Sequence, residues 1–215
     1  MEQETTESRA RNAQIVARLE RYRQTDSGIV PNAQSNKSEQ ESELKQYAQE
    51  NNIWFDEKNI ADNSARKFPS GKEADVYVNV NGKTVTKVVN YSKYSETPLD
   101  FLDNRILLFN QLFNDTEYTI VGFTETNKGF SFVIEQPYIK GKELSRLTTS
   151  MQSMEEQQQL VKDYIKTRFG LDESGLDAFG NNELTIEDLH LRNVIEGDDG
   201  NLYVIDAVTK KKLRL

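Results

Sequence analysis

The stretch from Ile186 to Ile195 reads Ile-Glu-Asp-Leu-His-Leu-Arg-Asn-Val-Ile, and Leu-Tyr-Val-Ile-Asp-Ala follows it at positions 202–207. A carboxylate, Asp188, is thus followed by an amide, Asn193, and then by a second carboxylate, Asp206, at the end of an apolar strand. Phosphoryl transfer needs residues of these types: a carboxylate that orients or deprotonates the attacking hydroxyl, and oxygen ligands for Mg²⁺ on the phosphates. The stretch predicts that Asp188 acts on the acceptor and that Asn193 and Asp206 bind the metal.

The same residues have a simpler interpretation, because Asp and Asn in loops most often stabilise turns. Lys87 argues for chemistry instead, since it lies between valines on a predicted buried strand, where its charge needs a partner. His190 is the only histidine of the chain, and we expect it to be a structural hydrogen-bonding residue. With one histidine and no cysteine, a zinc site is not expected.

The remaining sequence predicts an α+β fold with a strand-rich first part and a more helical second part. Two valine-rich runs flank Asn81-Gly82, which is typical of a two-residue hairpin turn. Apolar residues recur every three or four positions over 98–113 and predict a helix. Further strands are predicted at 118–123, 130–135 and 202–205, and further helices at 42–52 and 154–169.

Residues 1–40 are predicted to form a polar, partly disordered N-terminal arm. Ile15, Leu19 and Tyr22 form one thin helical stripe, and 24–40 is rich in Ser, Asn and Gln, which is typical of a linker. The arm is therefore expected to be solvated. Trp54 and Phe55 are expected to attach the helix at 42–52 to the first lobe.

The stretch at 186–207 resembles the catalytic loop and metal-binding aspartate of protein kinases. Asp-Leu-His-Leu-Arg-Asn at 188–193 is similar to aminoglycoside phosphotransferases and HipA-type kinases, and Ile-Asp-Ala stands where ordinary protein kinases have Asp-Phe-Gly. Ser-Gly-Lys-Glu-Ala-Asp-Val-Tyr at 70–77 resembles the phosphate loop of RIO-type atypical kinases. Over residues 66–208 the chain most resembles the Ser/Thr/Tyr kinase-like domain of phage and mobile-element polyvalent proteins.

This resemblance implies a two-lobed kinase-like fold, with an antiparallel sheet in an N-lobe at 41–137 and a reduced, helical C-lobe at 138–215. It also implies that Mg-ATP binds between the lobes and that Lys87 is catalytic together with Asp188. The residues implied to bind the nucleotide are Gly71, Lys72, Glu73, Ala74, Val76, Lys87, Asp103, Gln136 and Tyr138. Among them, Asp103 would be the acidic partner of Lys87, and the backbone from Gln136 to Tyr138 would hydrogen-bond the adenine.

Composition narrows the classes of partner. The formal net charge of −8 disfavours nucleic-acid binding, because an acidic chain repels phosphate backbones. No apolar run is long enough to span a membrane, and the N-terminus lacks the features of a secretory signal. Without cysteines, disulfides and thiolate chemistry are excluded. We therefore expect a cytoplasmic protein with neither nucleic acid nor membrane as partner.

The acceptor remains open at this stage. A protein hydroxyl is the first expectation, and a small-molecule acceptor of the aminoglycoside type is an alternative that suits the acidic charge. A third interpretation is a pseudokinase that only binds partners or nucleotide, because the chain ends shortly after Asp206, without an activation loop or peptide platform. The intact set of Lys87, Asp188, Asn193 and Asp206 favours an enzyme. Glu187 stands where regulated kinases have Arg, which argues against control by activation-loop phosphorylation.

Overall fold

The computed structural model describes residues 2–22, 33–68 and 74–212, which form helices and antiparallel sheets. This architecture confirms the predicted α+β class. Within these ranges, none of the helices combines the length and the apolar character needed to cross a bilayer.

The chain divides into two compact units. The first comprises Met1–Asp103 and Tyr118–Tyr138, and the second comprises Asn104–Glu117 and Ile139–Leu215. Each unit contains its own sheet structure.

The first unit is built on a five-stranded antiparallel sheet with the strand order β1-β2-β3-β5-β4. Its strands are β1 (Ser64–Lys67), β2 (Ala74–Asn79), β3 (Thr84–Asn90), β4 (Thr119–Thr126) and β5 (Gly129–Pro137), and its helices are α1 (Glu2–Leu19), α2 (Ala33–Glu50), α3 (Glu57–Asp62) and α4 (Pro98–Phe101). Gly82, with φ 63°, turns the chain between β2 and β3, and its N–H donates to the Asn79 carbonyl at 2.9 Å. A hairpin at Asn81-Gly82 is therefore confirmed, but four residues, 80–83, connect its strands and not the two that were predicted.

Aromatic side chains form the centre of the first unit's core. The ring of Phe132 on β5 lies 4.9 Å from Phe101 on α4 and 5.1 Å from Phe123 on β4. Tyr91, just after β3, packs edge-on against the same Phe132 ring at 6.2 Å. Burial of such large rings supplies a major part of the hydrophobic stabilisation of a small sheet.

A short extended segment covers part of the β4 edge. The Phe123 N–H donates to the Ile53 carbonyl at 3.0 Å, and the Phe55 N–H donates to the Phe123 carbonyl at 2.8 Å. Trp54 makes a parallel bridge with Phe123, so the expectation that Trp54 and Phe55 attach the preceding helix to this unit is confirmed. Gly122 permits this approach, because a Cβ there would lie 2.1 Å from the Ile53 carbonyl oxygen.

The prediction of a solvated N-terminal arm is wrong for α1. Ile15 and Leu19 are fully buried, so the thin stripe is a packing face. The side chain of Asn12 is also buried; it donates to the Tyr118 carbonyl and accepts from the Ile120 N–H, both at 3.2 Å. This amide satisfies the backbone of an edge strand as a neighbouring peptide group would. The linker residues 23–32 lie outside the described residues.

The helix predicted at 42–52 begins earlier than expected, at Ala33, so the predicted linker is helical from that residue. Polar side chains explain why this part packs without an apolar stripe. Gln40 is buried; its carbonyl accepts from the Leu99 N–H at 2.9 Å, and its amide donates to Asn36 at 2.7 Å. Buried polar groups that are fully hydrogen-bonded in this way are tolerated in a core.

The second unit contains more strand structure than its sequence predicted. Two sheets are present, with the orders β11-β10-β6 and β12-β9-β8-β7. The strands are β6 (Gly141–Glu143), β7 (Asp172–Gly175), β8 (Ala178–Gly180), β9 (Leu184–Glu187), β10 (Val194–Gly197), β11 (Leu202–Val204) and β12 (Val208–Lys211), and the helices are α5 (Leu108–Leu112) and α6 (Met151–Phe169). The sequence predicted a reduced, helical C-lobe: α6 agrees with that prediction, whereas the two sheets were not predicted. These strands are only three or four residues long, which is too short for a clear alternation of apolar and polar residues.

The predicted helices at 98–113 and 154–169 are both present. A Ser150–Ser153 capping box begins α6, and Gly170 ends it at φ 64°. Between α4 and α5 the chain forms a π-helical turn, Leu102–Leu107. A π turn shifts the direction of the side chains that follow, and such turns occur often at functional sites.

Candidate active site

The loop that begins at Asp188 has an unusual backbone. Asp188 follows β9 directly and has φ 58°, in the left-handed region that few residues other than Gly, Asn and Asp adopt. The next N–H, of Leu189, donates to the Asp177 carbonyl at 2.9 Å. The turn thereby leaves the Asp188 side chain about half exposed, at 46%. Leu189 is buried and anchors the loop.

Asn193 ties the end of this loop to its beginning. Its side-chain Nδ2 donates to the Asp188 carbonyl at 2.8 Å and to the Asp188 carboxylate at 3.3 Å. Its backbone carbonyl accepts from the Ile205 N–H at 2.9 Å. The loop and the residue before Asp206 are therefore joined through Asn193. Because Nδ2 faces Asp188, Oδ1 is the amide atom that could bind a cation.

Asp206 lies after β11 and is contacted by a residue that sequence analysis missed. The Nη2 atom of Arg105, in the π-helical turn, lies 3.2 Å from Asp206 Oδ1, and Nη1 donates to the Ala207 carbonyl. The Arg105 side chain is only 7% exposed, whereas Asp206 is 33% exposed. A signal was present: Arg105 interrupts the apolar stripe of that helix, between Leu102 and Phe109, where a charge needs a buried partner.

His190 lies beside the candidate catalytic carboxylate. Its Nε2 is 3.5 Å from Asp188 Oδ1, and its Nδ1 is buried without a hydrogen-bond partner in the described part of the chain. The backbone carbonyl of His190 accepts from the Asn193 N–H at 2.8 Å. Only the backbone of His190 is hydrogen-bonded among these contacts, so the role of its side chain as a structural hydrogen-bonding group stays a prediction.

The turn between β10 and β11 stabilises the strand that leads to Asp206. The Tyr203 hydroxyl donates to the Asp199 carboxylate at 2.7 Å, and the Asn201 amide donates to it at 2.9 Å. These hydrogen bonds, with Tyr203 first, hold the pKa of Asp199 below its usual value. The predicted strand at 202–205 is confirmed as β11.

In the first unit, Lys87 lies on β3 opposite Val76 of β2, as the hairpin predicted. Lys87 is buried, with 7% of its surface exposed. Its ammonium lies 3.4 Å from the Tyr118 hydroxyl and 5.0 Å from the centre of that ring, which is a cation–π distance. Asp103 lies in the π-helical turn, and its role as the acidic partner of Lys87 stays a prediction.

Other residues predicted to bind the nucleotide belong to the predicted phosphate loop and to β2. Gly71, Lys72 and Glu73, from the predicted phosphate loop, lie outside the described residues. Ala74 begins β2 and is half-buried, as is Val76.

The backbone that was predicted to bond adenine lies at the end of β5. The Tyr138 N–H donates to the Lys83 carbonyl at 2.8 Å, and Gln136 is paired with Val85 in the same ladder. Because hydrogen-bonding direction alternates along an antiparallel strand, Gln136 also directs its backbone groups toward β3. The carbonyl of Pro137, between them, points to the opposite side. The Tyr138 N–H is therefore already bonded to the residue that precedes β3. The expectation that the backbone from Gln136 to Tyr138 bonds adenine stays a prediction.

The donor set around Asp206 suits a hard cation bound together with phosphate oxygens. Mg²⁺ prefers oxygen ligands and usually takes one or two carboxylates from protein, the rest coming from substrate phosphates and water. Over the ranges that the structure describes, no group of three or more His, Cys, Asp or Glu could bind a metal without further ligands. Asn193 and Asp206 thus fit an ion delivered with a nucleotide.

Comparison with known proteins assigns the chain to a family. Residues 37–213 match the family described as Serine/Threonine/Tyrosine Kinase found in polyvalent proteins. A search of curated proteins gives no match. The family match covers the candidate loop, Asp206, Lys87 and most of both units, and it agrees with the resemblance seen in the sequence. The chain therefore belongs to the Ser/Thr/Tyr kinase family of polyvalent proteins.

Proposed function

We propose that this kinase-family chain transfers the γ-phosphoryl group of Mg-ATP to a hydroxyl group of a protein. One observation carries the proposal: the Asp188 side chain is about half exposed on a residue with left-handed backbone conformation, and the Asn193 side-chain amide donates a hydrogen bond to its carboxylate. A strained backbone with a polar clamp is more than a turn requires, and such strain is often found at active sites.

Asp188 would act on the acceptor. Its exposed carboxylate can accept a hydrogen bond from an incoming hydroxyl, orient it and take its proton as the phosphoryl group is transferred. The Asn193 Nδ2 atom donates to this carboxylate and would orient it, and His190 Nε2 lies 3.5 Å from its other oxygen. A fixed direction matters because positioning supplies much of the catalysis in phosphoryl transfer.

Asn193 and Asp206 would hold the metal, and first-unit residues would hold the nucleotide. When bound, Mg-ATP supplies the phosphoryl group, and its metal neutralises charge on the phosphates. Lys87 would bind the phosphates with its ammonium, beside the Tyr118 hydroxyl. Ala74 and Val76 would contact the nucleotide from β2. Within the backbone from Gln136 to Tyr138, the Pro137 carbonyl, which points away from β3, is our candidate partner for adenine.

The protein acceptor is supported by the description of the family, whose members are named for serine, threonine and tyrosine. The test is incubation of the full chain with radiolabelled ATP and Mg²⁺ in three parallel reactions. One has no added acceptor, one contains a mixture of unrelated proteins, and one contains an aminoglycoside. We expect label on protein hydroxyls. Label on the aminoglycoside alone would replace the acceptor class. Binding of Mg-ATP without transfer to any acceptor would favour the pseudokinase interpretation over the enzyme.

A further inference from the structure

We infer that Arg105 is a positioning residue that supplies a fixed positive charge at Asp206, so that this protein works with one bound Mg²⁺ ion and not two. The inference rests on the proposed function, because it assigns Asp206 to the metal. It goes beyond that function by naming the number of ions and the residue that limits it.

The first step is the geometry of the ion pair. Arg105 Nη2 lies 3.2 Å from Asp206 Oδ1, and Arg105 Nη1 donates to the carbonyl of the next residue, Ala207. The guanidinium therefore contacts both the side chain of Asp206 and the backbone that follows it. One planar group thus holds the carboxylate and the adjacent backbone in a fixed relation to each other.

Hydrogen bonds to β11 and β12 hold the segment that carries Arg105 in place. The neighbouring residue, Asn104, is bonded twice to β12: its carbonyl accepts from the Thr209 hydroxyl, and its Oδ1 accepts from the Lys211 N–H at 3.0 Å. Farther along the same segment, the Thr116 hydroxyl donates to the Val204 carbonyl at 2.6 Å. The segment that carries Arg105 is thus tied to strands on both sides of Asp206.

The third step is electrostatic. Ordinary protein kinases use the corresponding aspartate and asparagine for two Mg²⁺ ions. Here a permanent cation already lies on one oxygen of Asp206. The Asp206 side chain is about two-thirds buried, so its charge is poorly screened by solvent. A first Mg²⁺ would be held by the Asn193 side-chain oxygen and by the Asp206 carboxylate. A second divalent ion on the same carboxylate would be repelled by both cations.

The test measures how nucleotide affinity depends on free Mg²⁺. A non-hydrolysable ATP analogue, already saturated with Mg²⁺, is titrated calorimetrically into the full chain at increasing free Mg²⁺ and constant ionic strength. If one ion accompanies the nucleotide, affinity stays level as free Mg²⁺ rises. If a second ion binds, linkage raises affinity by up to about tenfold for each tenfold rise in free Mg²⁺. Such a rise in the wild type would overturn the inference.

Two variants test whether Arg105 is the cause. Arg105→Met removes the charge but keeps an apolar side chain of similar length, and we expect the affinity of this variant to become dependent on free Mg²⁺. Arg105→Lys keeps the charge and should stay level like the wild type. A level response in a folded Arg105→Met protein would refute the electrostatic role. If Arg105→Met does not fold, a rise in either the wild type or the Lys variant still overturns the inference. Absence of any analogue binding by the wild type would instead refute the proposed function itself.

Discussion

The side-chain amide of Asn193 donates to both the backbone carbonyl and the carboxylate of Asp188, at 2.8 and 3.3 Å. These two bonds close the loop on itself and hold the left-handed conformation of Asp188. They also separate the two proposed functions of Asn193: its nitrogen contacts the proposed catalytic carboxylate, and its oxygen is the proposed ligand of the metal. The variants below separate these roles.

Asp188→Asn should abolish most phosphate transfer without unfolding the protein. Asn tolerates the left-handed backbone as Asp does, and its side-chain oxygen can still accept the bond from Asn193. Only the charge and basicity are lost, so transfer should fall by about 10²–10⁴-fold, which is the usual contribution of a positioned general base. Transfer is measured with radiolabelled ATP, and Mg-ATP affinity by calorimetry should be unchanged.

Asp177→Asn is the matched control for that variant. Asp177 belongs to the same unit, also has a positive φ, at 50°, and receives the same chemical change. It has no proposed role in transfer, so its activity should equal that of the wild type. Equal losses of activity in the two variants would mean that loop structure, and not the charge of Asp188, is what transfer requires.

Asp206→Asn should weaken the Mg²⁺-dependent part of ATP affinity. We choose Asn over Ala because Asn can still accept a bond from Arg105, whereas Ala would leave a buried cation without this carboxylate. Loss of a residue that only hydrogen-bonds a metal ligand typically costs about 10–100-fold in metal affinity, so loss of a direct ligand should cost about tenfold or more. Calorimetry with and without Mg²⁺ measures the difference, with the exposed Asp198→Asn as control. Unchanged Mg-ATP affinity in Asp206→Asn would reject the metal assignment.

The sequence was informative where local rules decide the structure. The Asn81-Gly82 turn determines its hairpin through backbone conformation alone, and the α6 helix follows from its periodicity and its ends. The spacing of Asp188, Asn193 and Asp206 identified residues that the structure brings into one unit. In each case the signal lies within a few residues of the feature that it predicts.

The features that were missed depend on partners far along the chain. The burial and hydrogen bonding of Asn12 depend on the backbone next to β4, which lies more than one hundred residues later in the chain. Arg105 likewise contacts Asp206, which lies at a similar separation. Sequence periodicity carries no information on such pairs, since the polar side chain is satisfied by a tertiary contact.

Asn12→Ala should destabilise the protein. The substitution removes the amide that bonds the Tyr118 carbonyl and the Ile120 N–H, and leaves both buried backbone groups without that partner. The free energy of unfolding should fall by about 1–3 kcal/mol, the typical cost of a buried unsatisfied group. Chemical denaturation measures it. The exposed Gln49→Ala, on α2 of the same unit, should change stability by less than about 0.5 kcal/mol. If Asn12→Ala behaves like this control, α1 is not held on the edge of β4.

Gly122→Ala should be more damaging than its size suggests. The new methyl group would lie 2.1 Å from the Ile53 carbonyl oxygen and 2.5 Å from the Phe55 ring, so the segment that covers β4 would have to move. Overpacking of this kind costs about 1–3 kcal/mol or more. Gly175→Ala is the control, because its methyl group would meet only the Ala178 side chain, at an ordinary 3.6 Å. Thermal and chemical denaturation of both variants compare the two sites, and equal stabilities would contradict the close approach at Gly122.

Lys87→Met should distinguish binding of phosphates from binding of adenine. Met keeps an apolar side chain of similar length on the buried strand but cannot bond an anion. A hydrogen bond to a charged group contributes about 1.5–3 kcal/mol, so affinity for ATP should fall by roughly 10–100-fold. Affinity for adenosine, which has no phosphates, should stay the same. Both are measured by calorimetry against Lys83→Met, which removes an exposed lysine from the same hairpin and should leave both affinities unchanged. A parallel loss of adenosine affinity in Lys87→Met would mean that the substitution disturbs the sheet, and unchanged ATP affinity would remove Lys87 from the proposed nucleotide site.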